Sequence, residues 1–166
     1  MANWHETVTD NRRDELKKKL HLHAALNYSK LSKAKRLKVG AIITMDDRVV
    51  SIGYNGMPSG SELPCEDIVL PKDFGEVPVG KDAINDYLVT KKELIHAEAN
   101  AILFAAKHGI KTDGCHLTIT HSPCFECAKM IIQCGISSVF YGDYYRDSEP
   151  IEFLKENGVK VEKIGY

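Results

Sequence analysis

Helical and strand patterns alternate along the second half of the chain, and this limits the fold more than any other feature. Residues 93–108 carry helical spacing, and Asp113-Gly114 marks a turn before a strand over 115–120. Residues 124–134 then read as a helix, 137–141 as a strand, 149–157 as a helix ended by Gly158, and 159–164 as a last strand. Upstream, residues 12–38 place Leu16, Leu20, Ala24 and Leu31 at helical spacing. Residues 39–44 and 49–54 are rich in β-branched side chains and flank Asp46-Asp47-Arg48, which predicts an antiparallel hairpin. The order α-β-β-α-β-α-β-α-β predicts a three-layer α-β-α domain of the α/β class. Its sheet would be mixed and five-stranded, a hairpin followed by right-handed crossovers.

One stretch breaks the pattern. Between Gly53 and Asp82 lie prolines 58, 64, 71 and 78 and five glycines, so about 53–92 reads as a long irregular insertion, a kind of loop that is often functional. No repeat or low-complexity tract interrupts the 166 residues, which suffice to bury one core, so residues 1–166 are expected to form one domain. The 22 Lys and Arg nearly balance the 23 Asp and Glu, so no global attraction to nucleic acid or an anionic membrane is expected. A polar N-terminus and the lack of a run of about 20 apolar residues predict a cytoplasmic protein. The five cysteines, at 65, 115, 124, 127 and 134, suit metal binding and buried thiols better than a disulfide framework.

His96-Ala97-Glu98 and Pro123-Cys124-Phe125-Glu126-Cys127 carry the chemistry. One imidazole and two thiolates supply three ligands for a single catalytic Zn²⁺ and leave the fourth tetrahedral position to water. Glu98 is then free for proton transfer. Both segments fall near predicted helix starts, where unpaired N–H groups favour thiolate, and Pro123 costs little there. An isolated Cys-x-x-Cys can also be a redox pair or half of a structural zinc site. A structural site wants a fourth Cys or His, and a redox pair has no need of His-x-Glu. The combination is the signature of zinc nucleobase deaminases. Cys115 and Cys134 read as buried thiols.

From about residue 29 to 145 the chain resembles the deoxycytidylate (dCMP) deaminase family, within the cytidine deaminase-like fold. The resemblance rests on Ser32, Arg36 and Val39-Gly40-Ala41, and on Gly53-Tyr54-Asn55-Gly56-Met57-Pro58-Ser59-Gly60. It extends through His96-Ala97-Glu98-Ala99-Asn100-Ala101-Ile102, Pro123 to Lys129 and Ile131 to Ile136. tRNA adenosine deaminases share the zinc motif alone. The Gly-Tyr-Asn-Gly-x-Pro segment before a long insertion points to the dCMP branch.

The resemblance implies hydrolysis of dCMP to dUMP, with Glu98 at the base N3, Asn55 near the sugar, and Arg36 and Tyr145 at the 5′-phosphate. Ser32, Ala97 and Arg146 join the implied substrate site. It also implies a homo-hexamer, activation by dCTP and inhibition by dTTP. The implied effector site is Gly53, Tyr54, Asn55, Gly56, Pro58 and Gly60, with Mg²⁺ accompanying the triphosphate. Members with a second, structural zinc draw on an N-terminal Cys, a Cys or His in the insertion, and a Cys or His just before His-Ala-Glu. Here the first cysteine is Cys65 and Lys91 to Ile95 holds neither type, so one zinc and an unpaired Cys65 are expected. Residue by residue, alternatives stay open. Lys30, Lys33, Lys35, Arg36 and Lys38 could be a solvated helix end, and Asn55-Gly56 a hairpin turn. A tRNA adenosine deaminase and a non-catalytic zinc-binding regulatory module are the rival functions.

Overall fold

In a computed structural model of the chain, the described residues are 4–70, 85–146 and 148–166. Helix α1 (Trp4–Ser29) leads into strands β1 (Gly40–Met45) and β2 (Arg48–Tyr54), and a short ribbon follows, β3 (Glu66–Ile68) with β4 (Leu88–Thr90). Then come α2 (Ala97–Lys107), β5 (His116–His121), α3 (Phe125–Gln133), β6 (Ser138–Asp143), α4 (Glu149–Glu156) and β7 (Lys160–Lys163). The main sheet runs β2-β1-β5-β6-β7, antiparallel among its first three strands and parallel among its last three. This is the expected mixed five-stranded α/β architecture. Asp46 and Asp47 close the β1–β2 hairpin with φ of 49° and 62°, as a tight two-residue turn requires. Among the described residues no helix is long and apolar enough to cross a membrane.

Strand alternation divides the sheet into two faces. Ala41, Ile43, Leu117, Ile119, Val139 and Tyr141 pack with residues of α2, α3 and α4 in the main core. The other face lies under α1, where Leu22, Phe140 and Ile164 form a small apolar cluster and Ala25 and Ile42 are also buried. A glycine allows close helix approach on each side. A Cβ on Gly40 would fall 2.0 Å from the Ala25 carbonyl oxygen of α1, and one on Gly53 would fall 2.1 Å from the Ala97 carbonyl oxygen of α2.

Three expectations are corrected. The first helix ends at Ser29, not at residue 38. Beyond it the Ser32 hydroxyl accepts the Ala34 N–H, and Glu66 accepts the N–H groups of Lys35 and Arg36, so local partners replace helical ones. The face of α1 set against the sheet carries Leu22, Ala25 and Ser29, whereas Leu16, Leu20 and Leu31 are exposed. The insertion is not wholly irregular, because β3 and β4 pair from Glu66↔Thr90 to Ile68↔Leu88, with Lys91 ion-paired to Asp67. Its residues 71–84 lie outside the described residues. The next helix begins at Ala97, after Ile95 has bridged to Gly56. Cys65 is a buried free thiol packed with Ala34 and Leu94, Cys115 is buried, and Cys134 is half-buried.

Candidate active site

Two helices begin at one place. His96 is the N-cap of α2 and Cys124 the N-cap of α3, both in extended backbone, and neither uses its side chain to cap the helix. These side chains turn towards each other instead. His96 Nδ1 lies 3.3 Å from Cys124 Sγ and 3.4 Å from Cys127 Sγ, with all three ligand atoms within 4.8 Å of one another. Tetrahedral Zn²⁺ with ordinary Zn–N and Zn–S bonds would hold N and S about 3.5 Å apart, so the donor set fits zinc. Cys124 is drawn down to about 4, first by the hydrogen bond from the Cys127 thiol and also by His96. Donation to Cys124, together with burial, drives the Cys127 thiol the other way. Contact with Cys124 raises His96.

Glu98, in the first turn of α2, is buried, and desolvation pushes its carboxyl up to about 6. It shares a cavity of about 240 Å³ with His96, Cys124, Ala97, Asn55 and Arg36. Tyr145 closes one side, its N–H donating to the buried Ser122 hydroxyl at 2.7 Å. The Asn55 amide accepts the Val39 N–H at 2.8 Å and donates to the Leu37 carbonyl at 2.8 Å. It therefore clamps the strand entry beside Arg36.

Other residues singled out in the sequence sit elsewhere. Ser32 is buried and bonded to Ala34, outside the cavity lining. Arg146 also lies outside it and stacks its guanidinium 4.9 Å from the Tyr145 ring. Of the remaining glycine-rich segment, Gly53 is packed against α2, and the Tyr54 carbonyl accepts from Asn100. Gly56 bridges to Ile95, the Pro58 carbonyl accepts the Ser61 N–H, and Gly60 adopts φ of 85°. Of this segment only Asn55 lines the cavity.

The cavity also holds residues that the motifs do not reveal: Glu66 and Thr90 from the insertion, and His121 and Ser122 at the end of β5. His121 and Ser122 directly precede Pro123-Cys124, so a strand aimed at the thiolates could have signalled them. Glu66 carries no such local signal. Burial lowers His121, whose Nδ1 lies 3.0 Å from the Thr120 hydroxyl. The arrangement offers a metal ligand set, a buried carboxylate of intermediate acidity, and a cationic rim at Arg36.

Residues 15–143 match the cytidine and deoxycytidylate deaminase zinc-binding region family. The deoxycytidylate deaminase of Enterobacteria phage T4 is 34% identical over 165 residues, covering 84% of this chain and 86% of that protein. ComE operon protein 2 of Bacillus subtilis is 39% identical over 131 residues, covering 78% of this chain, and the chain spans only 61% of it. The crystal structure of the dCMP deaminase of cyanophage S-TIM5, in complex with dCMP and dUMP, superposes with a TM-score of 0.72. It is 36% identical and covers 88% of this chain and 95% of that one.

Proposed function

The chain belongs to the cytidine and deoxycytidylate deaminase family, and from that premise we propose that it hydrolyses dCMP to dUMP and ammonia. The observation that carries this reading is the convergence of His96, Cys124 and Cys127 on one point beside the buried Glu98, in a cavity rimmed by Arg36. Zn²⁺ held by the triad supplies a Lewis acid that brings the acidity of a bound water towards neutrality. Glu98 takes a proton from the attacking water and delivers it to ring N3 as the water oxygen bonds to C4. It then carries the second proton to the exocyclic amine, the C4–N bond breaks, and ammonia leaves a C4 carbonyl behind.

Arg36 and Tyr145 receive the 5′-phosphate in this reading, since guanidinium and phosphate form charge-assisted hydrogen bonds. Asn55 acts on the sugar by holding the Leu37–Val39 strand entry in place, and Ala97 lines the wall beside the base. Ser32, whose hydroxyl holds the Ala34 N–H, and Arg146, stacked on the Tyr145 ring, support the phosphate side indirectly. Gly53 to Gly60 forms an effector site for dCTP and dTTP with Mg²⁺, supported by the family resemblance and by the left-handed Gly60. A hexamer in the cytoplasm completes the reading. Exposed Leu103, Phe104 and Phe125 on the helices support self-association, and free thiols suit a reducing compartment.

One assay tests these statements. Ammonia release should be fastest with dCMP among dCMP, CMP, dCTP, deoxycytidine and adenosine-containing RNA. Glu98→Ala should keep its zinc and lose on the order of 100-fold or more in kcat. Run with dCTP or dTTP, the same assay should show a sigmoidal dCMP curve made hyperbolic by dCTP and right-shifted by dTTP. Superimposable hyperbolas would reject regulation, and turnover surviving in Glu98→Ala would remove it from the chemistry.

A further inference from the structure

On the other face of the sheet, and at its opposite end, α1 does not seal against the strands. A cavity of about 300 Å³ opens there between Lys17, Lys18 and His21 of the helix and the starts of β5, β6 and β7. Strand register lines one row of its floor, Thr44–His116–Ser138–Lys160, with Thr118 in the next row. Thr44, Thr118 and Ser138 are at most 7% exposed. Their hydroxyls have no hydrogen-bond partner among the described residues, yet none is sealed away, so they open into the cavity.

The charges around it are sorted. Lys17 pairs with Asp47 at 2.6 Å and with Asp14, and Lys18 pairs with Glu162 and Glu15 at 2.9 and 2.8 Å. Lys17 and Lys18 are thus saturated by four carboxylates, of which Asp14 and Asp47 line the cavity, and the pairs pin the helix to the rim. Lys160 has no ion pair and His21 no hydrogen bond among the described residues, while His116 spends only Nδ1, on Ser137. What remains is a set of donors: one ammonium, two imidazoles and three hydroxyls. A tetrahedral oxyanion can accept from every member of the set.

We propose that this cavity is a second anion site, which binds a phosphate group through the hydroxyls of Thr44, Thr118 and Ser138 and through Lys160, His21 and His116. Its size suits phosphate alone or a small phosphomonoester. The site stands apart from the zinc ligands and is independent of the reaction assigned to them.

Histidine NMR on the zinc-loaded protein tests this, with His21 and His116 assigned through His→Gln variants. Inorganic phosphate, against chloride at matched ionic strength, should shift both resonances saturably. Thr118→Val and Lys160→Ala should each raise the midpoint about tenfold, the scale of one charge-assisted hydrogen bond, and leave dCMP turnover unchanged. Arg36→Ala should not move it. Glycerol phosphate distinguishes the sources: saturation by it as well marks a phosphomonoester site, and saturation by inorganic phosphate alone marks a free-oxyanion site. Failure of both ligands, midpoints untouched by Thr118→Val and Lys160→Ala, or loss of the signal in Arg36→Ala would each overturn the proposal.

Discussion

On the face covered by α2, α3 and α4, β5 contributes Leu117 and Ile119, both fully buried among aliphatic neighbours. On the face covered by α1 the same strand contributes His116, Thr118 and Thr120, and a cavity remains. The difference follows function. The triad needs two helix N-termini held together to within a fraction of an ångström, and dense apolar packing beneath α2 and α3 supplies that rigidity. The α1 face positions no triad ligand and tolerates a polar, looser interior.

The sharpest test of that contrast uses adjacent residues of one strand. Leu117→Ala should cost about 2–5 kcal/mol, because it opens a hole in the main core. Thr118→Val should stay within about 1 kcal/mol, since it removes a hydroxyl that bonds to nothing among the described residues. Urea denaturation of the zinc-loaded variants reads both, and equal losses would erase the distinction between the faces.

Gly53→Ala probes how the apolar face reaches the site. The new Cβ would lie 2.1 Å from the Ala97 carbonyl oxygen and 2.5 Å from the Ala101 nitrogen, both backbone atoms of α2, so the helix must move outward. We expect a loss of about 1–3 kcal/mol in stability. Because His96 and Glu98 ride on the displaced end, kcat/KM should fall on the order of 100-fold. A variant that lost stability but kept full activity would show that α2 can shift without carrying the site.

What the sequence revealed divides along the same line. His96, Glu98, Cys124 and Cys127 were legible because each segment is local and its chemistry demands those residue types. The alternation from β5 to β7 was legible because each crossover closes within a few turns of chain. The end of α1 was not, because Leu16, Leu20 and Leu31 mimic a buried stripe while the true contact face, with Leu22, Ala25 and Ser29, is mixed with polar residues. Glu66 was missed for a different reason. Its place in the cavity depends on β3 pairing with β4 across the insertion and on accepting the N–H groups of Lys35 and Arg36, about thirty residues away.

The smallest expected effect concerns acid sensitivity on the α1 face. Burial holds His21 below its ordinary value, and Lys17 and His116 act in the same direction, against the opposing pull of Asp47. A group depressed in the folded state contributes stability that is fully present above its unfolded value, about 6.5, and is lost as pH falls through the folded value. Acidification from pH 7.5 to 5.5 should therefore lower the urea midpoint of the natural protein more than that of His21→Gln. Protonation of the zinc thiolates and of His121 also destabilises on this path, but equally in both proteins, so the difference between the two slopes isolates His21. Parallel slopes would mean that His21 meets as much water in the folded state as in the unfolded one, and that the α1 face is open there down to the sheet.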